Sequence, residues 1–180
     1  MIVDVQSFNA YSGNWEDNAE ATALKELFLS SAQGIVSQYL RYDPVLGGRS
    51  ALLSGDGTRR LVLPFRPLRS IESITVDGRT LDPALFIPDD DRLVPAAPGA
   101  VFPRGVDNIA LSCTAGWPED GMPGEIVVAI MRIATLMLSE TDGNIGLTGK
   151  SFADNSRTFV NYSNYRKYLE PLAGYRVVGF

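Results

Sequence analysis

Seven of the chain's eleven prolines fall between residues 50 and 117. A proline inside a helix removes a backbone hydrogen bond and clashes with the preceding turn. No long helix can therefore cross this stretch, and its many β-branched residues favour short strands. On either side lies a segment with helical apolar spacing. Helix, strands and helix must therefore follow one another within 180 residues, a length that suits one compact domain or one domain with an insertion.

In the first helical segment the apolar residues are Leu24, Leu27, Phe28, Ile35, Val36, Tyr39 and Leu40. That spacing predicts one buried face on a helix from about residue 17 to 41. Asp17 or Asn18 can cap its start, with Glu20 in the first turn, and Asp43-Pro44 and Gly47-Gly48 end it. In the middle, Leu61-Val62-Leu63 and Ile71 to Val76 read as strands, and Asp77-Gly78 directly after Val76 is a tight-turn signal. Leu85-Phe86-Ile87 and Arg92-Leu93-Val94 form a second short pair around Asp89-Asp90-Asp91. A longer strand is predicted over Asn108 to Thr114, where Ile109, Leu111 and Cys113 alternate, and Ala115-Gly116-Trp117-Pro118 closes the sheet. The second helix begins with Pro123 in its first turn and runs to about residue 140, with Ile126, Val127, Ile130, Ile133, Ala134, Met137 and Leu138 on one face.

Gly143, Gly146 and Gly149 then read as a flexible loop, and Asn161 to Leu169 as a short helix ended by Pro171. Seven of the chain's 17 aromatic residues lie in 151–180, too many for a solvated linker. The expected fold is α+β: a small helical bundle with an inserted antiparallel β-rich subdomain and an extended C-terminal arm. Its parts are 1–49, 50–117, 118–142 and 143–180, within one domain overall.

The chain has no histidine. That excludes a Ser-His-Asp triad and any His-ligated zinc site. Cys113 is the only cysteine, which excludes an internal disulfide and a four-cysteine zinc knuckle and fits a reducing cytosol. The formal net charge is −5, which argues against a uniformly basic nucleic-acid binder. The charge is polarised. Residues 1–57 hold three basic and seven acidic residues, and residues 150–180 hold five basic and two acidic ones. The N-terminus does not read as a signal peptide, and the most apolar run, Ile126 to Leu138, contains Arg132 and is too short to span a bilayer.

Several segments resemble chemical sites and have plainer readings. Asn144 to Ser151 looks like a phosphate loop, but its glycine stands one residue early, at Gly143, and a helix rather than a strand precedes it. Asp89-Asp90-Asp91 reads as a solvated turn, since adjacent acids on an extended chain point apart. Glu72, Asp77, Asp107, Glu119 and Asp120 lie near predicted strand ends, and a carboxylate enzyme would need one with a raised pKa in a cleft. Trp117 reads as a core plug rather than a ligand-stacking residue. Arg59, Arg60, Arg66 and Arg69 lie beside Phe65, yet residues 58–117 carry seven acids and seven bases, so a sheet rim accounts for them as well as a DNA contact does. Tyr162, Tyr165 and Tyr168 recur every three residues beside Arg166 and Lys167. Such an aromatic and basic stripe suits an interface, on a neighbour or folded back on the chain's own helices.

The order of these segments resembles a known family. The first helix ends in Tyr39-Leu40-Arg41-Tyr42. A β-rich insertion carries Ile71-Glu72-Ser73-Ile74-Thr75-Val76-Asp77-Gly78, a strand ends in Thr114-Ala115-Gly116-Trp117-Pro118, and a proline-started helix follows. Over about residues 17–140 this is similar to the head–tail connector (adaptor, head-completion) proteins of long-tailed bacteriophages, prophages and gene transfer agents. The resemblance implies a ring subunit, usually one of twelve, that sits beneath the portal of a DNA-filled capsid, extends the DNA channel and presents a surface to the tail. It implies no catalytic activity and no cofactor or metal. The implied partners are the portal protein, a tail-side connector or tail-terminator protein, further copies of the chain, and double-stranded DNA in transit, with no membrane. The implied location is the virion's head–tail interface, assembled in the bacterial cytoplasm. On this reading Phe159, Tyr162, Tyr165, Arg166, Lys167, Tyr168, Tyr175 and Arg176 meet the portal or a neighbouring subunit, and Arg59, Arg60 and Arg66 face an interface or the DNA channel. The alternatives are a tail-completion component, or a β-rich glycan- or peptide-binding module, which would gather Phe65, Phe86, Phe102 and Trp117 on one concave face.

Overall fold

Asn18 begins the longest element, α2 (Ala19–Leu40), by accepting the Ala21 N–H on its side-chain oxygen at 2.8 Å. The structure is a computed structural model, and it describes residues 1–16, 18–140, 150–152, 155–157 and 165–177. The described chain divides into two units: residues 1–39 with 122–176, and residues 40–121 with 177–180. The first holds the long helices and one short strand pair, Lys150–Phe152 with Asn155–Arg157, and the second is built mainly of strands.

In the helical unit a short helix, α1 (Val5–Ser12), precedes α2. Asp4 caps it by accepting the Ser7 N–H, and this bond holds the Asp4 carboxyl below its ordinary value of 3.8. Gly13, at φ 69°, ends α1 and donates to the Asn9 carbonyl at 2.9 Å. Sequence periodicity does not predict this helix. Its eight residues carry little apolar pattern, and the caps define it.

The buried positions of α2 are Lys25, Leu29, Ala32, Val36 and Leu40. Leu27, expected inside, is 59% exposed, and Lys25 is 1% exposed. Lys25 can occupy the interior because its ammonium donates three hydrogen bonds: to Asn9 Oδ1 (2.7 Å), the Asn14 carbonyl (3.0 Å) and the Glu16 carbonyl (2.7 Å). That uses every N–H an ammonium has. The lysine thereby ties the end of α1 and the following loop to α2.

Helix α3 (Gly124–Glu140) starts one residue after Pro123, whose carbonyl accepts from Ile126 and Val127. Ile126, Ile130, Ile133 and Ala134 are buried, as its periodicity predicts; Val127, Met137 and Leu138 are half-buried, and Ala129 is buried as well. Near the C-terminus α4 (Tyr165–Leu169) runs directly into a 3-10 turn over Glu170–Tyr175. Pro171 therefore ends the α-helix without ending the helical path. Leu169 and Leu172 are the buried residues here.

In the second unit four strands form an antiparallel sheet in the order β1 (Gly47–Leu53), β7 (Ile109–Ala115), β3 (Leu68–Val76), β4 (Arg79–Leu81). Gly47 and Gly48, expected in the turn after α2, are strand residues that pair with Ala115 and Thr114. Continuous pairing with β7 overrides the weak strand preference of glycine. The β3–β4 turn is Asp77-Gly78, with φ 48° and 77°, which is the tight hairpin that the dipeptide predicts. In β7 the residues Ile109, Leu111, Cys113 and Ala115 point inward and Ala110, Ser112 and Thr114 outward. A second sheet has the order β2 (Leu61–Val62), β6 (Arg92–Pro95), β5 (Phe86–Asp89). Two further strands, β8 (Lys150–Phe152) and β9 (Asn155–Arg157), pair with each other.

Candidate assembly surfaces

The arm residues expected to meet a partner divide into three groups. Phe159 and Tyr162 lie outside the described residues, as do Gly143 and the first six residues of the phosphate-loop-like segment, Asn144 to Gly149. Tyr165, Tyr168, Tyr175 and Arg176 are half-buried, and they pack within the helical unit. The Tyr175 hydroxyl donates to Glu125 at the start of α3 (3.2 Å), and the Arg176 guanidinium lies 5.3 Å from the centre of the Tyr39 ring. Arg166 and Lys167 are exposed.

Tyr168 is the centre of this surface. Arg132 of α3 stands 5.5 Å from its ring centre and Lys167 of α4 stands 5.6 Å from it. A groove of about 410 Å³ runs along these groups, lined by Tyr11, Arg132, Thr135, Leu136, Lys167 and Tyr168. An adjoining depression of about 250 Å³ carries Glu125, Val128, Arg132, Tyr168 and Pro171. Neither Tyr11 nor Arg132 stands out in the sequence, because each lies far along the chain from α4. No spacing rule links α1, α3 and α4.

The arginines of the β unit are engaged differently. Arg59 donates to the Pro95 carbonyl (3.0 Å), Arg69 donates to the Gly116 carbonyl (3.0 Å), and Arg66 pairs with Asp90. Of the three assigned to an interface or channel, Arg60 is the exposed one, while Arg59 and Arg66 are half-buried. The aspartate run forms the β5–β6 turn. Asp90 takes φ 50° and binds Arg66, and Asp91 pairs with Arg92 at 3.3 Å. The carboxylates of Asp90 and Asp91 are spent on arginines, and their backbone carbonyls accept from the N–H groups of Leu68 and Leu63.

The aromatic residues of the β unit are mostly spent on packing. Phe65 and Phe102 are buried, Phe86 stacks on Phe102 with ring centres 5.7 Å apart, and Trp117 is half-buried against Tyr42 at 6.2 Å. The depression on the outer face of the larger sheet, about 390 Å³, is lined instead by Ser50, Ala51, Leu52, Ser73, Thr75, Ala110, Leu111 and Ser112. Beside it Glu72 accepts from the Thr114 hydroxyl (2.6 Å) and the Ser112 hydroxyl (3.0 Å), which together hold its carboxyl below the usual 4.5. The carboxyls of Asp4, Asp56 and Glu72 are all shifted downward by hydrogen bonds, the opposite of a carboxyl poised as a general acid. Burial pushes the Cys113 thiol up to about 11, so it is a core residue and not a nucleophile. Among the described residues no cluster of three or more acidic or cysteine side chains could hold a metal, and no helix is long and apolar enough to cross a membrane.

No protein-family model matches the chain, and no curated protein matches it. Solved structures do. A chain of the neck of the empty gene transfer agent particle, computed with C6 symmetry, shares 15% identity at a TM-score of 0.60, over 99% of this chain and 91% of that one. A chain of the neck of the native particle, computed with C12 symmetry, shares 16% identity at 0.58, over 98% and 89%. A chain of the virion of the native particle shares 17% identity at 0.61, over 99% and 91%. From end to end, this chain has the fold of these gene transfer agent chains.

Proposed function

We propose that the chain is a structural subunit of the neck of a phage-like particle: one member of a head–tail connector ring that binds beneath the portal, extends the DNA channel and offers the tail its attachment surface. The observation that carries this reading is the fold shared with gene transfer agent neck chains over nearly the whole length of both. The C6 and C12 symmetries of those necks support a closed ring here, with twelve copies as the expected number. A ring requires two unlike surfaces on each copy that meet head to tail. The acidic N-terminal half and the basic arm supply surfaces of opposite sign.

The portal-facing or neighbour-facing surface on this reading is the arm: Phe159, Tyr162, Tyr165, Arg166, Lys167, Tyr168, Tyr175 and Arg176. A net charge of −5 suits a channel wall, because it repels DNA phosphates and lets the duplex slide. Arg60 is the arginine of the β unit available to a partner or to DNA.

The test is to mix the full chain with the portal protein encoded in the same genome and to image and size the product. A stoichiometric ring stacked on the portal is the expected result. Deleting the arm is a poor control, since Leu169 and Leu172 are buried and their loss would disturb the helical unit. Arg166→Glu with Lys167→Glu changes only exposed groups, and it should weaken portal binding if the arm is the anchor.

A further inference from the structure

We propose that the groove around Tyr168 receives the exposed acidic face of α2, Glu20, Glu26 and Leu27, from a second copy of this chain. This rests on the ring reading above and names one of its subunit contacts. Arg132 and Lys167 both lean on the Tyr168 ring, and neither has a carboxylate partner among the described residues. Two cations on one ring without a carboxylate partner leave this surface with unbalanced positive charge, which favours an anionic partner. The nearest carboxylate in the adjoining depression, Glu125, accepts from Tyr175 and forms no ion pair with Arg132. Tyr11, 46% exposed, and Leu136 give the groove an apolar floor.

The face offered by α2 is complementary. Glu20, Leu27, Ser31 and Gly34 follow one another along one side of the helix, Glu26 lies about 100° further round it, and all five are exposed. No cation pairs with Glu20 or Glu26 among the described residues. Leu27, on the same side as Glu20 and next to Glu26 in the chain, has most of its surface in water. A Cβ at Gly34 would meet nothing within 4 Å. A glycine weakens a helix interior, and its own fold gives no reason for it there. A bare backbone at that point lets another element approach closely. Groove and face are different surfaces of one copy, so their contact repeats head to tail.

Duplex DNA would also satisfy Arg132 and Lys167. The apolar floor of the groove and the matching acids on the same chain favour protein. Charge reversal separates the two. Arg132→Glu with Lys167→Glu spoils the groove, and Glu20→Lys with Glu26→Lys spoils the face. Each pair alone should weaken self-association about tenfold or more, measured by sedimentation velocity and native mass spectrometry. Mixing the two proteins should restore assembly, because the intact groove of one meets the intact face of the other and the reversed groups meet each other. All four changes in one chain should restore it as well. Far-UV circular dichroism checks that every variant is folded. Wild-type rings that both variants form equally well would overturn the groove as interface and leave the ring reading standing. A wild-type chain that forms no assembly, alone or on the portal, would overturn both. Loss of duplex DNA binding in the groove variant, with self-association unchanged, would assign the groove to DNA.

Discussion

The two units spend their charges differently. In the β unit cations meet carboxylates of the same unit: Arg49 binds Asp43 at 3.0 Å, Arg66 binds Asp90, and Arg92 binds Asp91. In the helical unit no such pair occurs among the described residues. Lys25 is buried against neutral oxygens, and Arg132, Lys167 and Arg176 lie over aromatic rings. The ion pairs of the described residues thus all lie within the β unit, whereas Arg132, Lys167, Glu20 and Glu26 of the helical unit have none. That is the distribution expected when one unit braces the fold and the other meets neighbours.

Four perturbations can break or sharpen this contrast. The largest concerns a tight place in the β unit. A Cβ at Gly55 would run into the Pro103 carbonyl oxygen. Gly55→Ala should therefore destabilise that unit by at least about 3 kcal/mol. Trp117 fluorescence during urea unfolding reads this, in a Trp15→Phe background, since Trp15 lies in the helical unit and Trp117 in the other. Next comes Lys25→Met, which keeps the length of the side chain and strands three acceptors. It should lower helical-unit stability by about 2–3 kcal/mol, read by far-UV circular dichroism. An unchanged curve would mean that the ammonium is dispensable. Gly34→Ala should act the other way and stabilise α2 by about 0.5–1 kcal/mol, because the site is open and helical.

The smallest effect is Glu72→Gln. The folded-state pKa of Glu72 is depressed, chiefly by the Thr114 hydroxyl and then by that of Ser112. Its contribution is therefore present above the ordinary value of 4.5 and is lost as pH falls through the lower folded value. The wild type should lose slightly more stability than Glu72→Gln on acidification, read as the difference in urea midpoints. Equal acid sensitivity would show that the hydroxyl contacts do not bias the carboxyl.

How much of this was legible in the chain follows the same division. Where a pattern is local it reads correctly. Asn18 caps α2, Asp77-Gly78 makes the hairpin, and Ile109, Leu111 and Cys113 alternate inward. The buried face of α2 is turned slightly from the one its apolar spacing predicts, because helical periodicity tolerates a small rotation. It admitted Leu27 to the interior and could not anticipate a lysine there, since the oxygens that make Lys25 tolerable come from α1 and its loop. Gly47 and Gly48 looked like a turn because their strand identity comes entirely from β7. The aromatic and basic character of the arm was visible in Tyr165, Arg166, Lys167 and Tyr168. Its completion by Arg132 and Tyr11 was not, because that depends on three helices converging.

The most direct test of the account is electron cryo-microscopy of the full chain mixed with its portal protein. The account predicts a closed ring of this chain stacked on the portal, coaxial with the DNA channel. Portal rings with no added density, under conditions where the chain is folded, would contradict it.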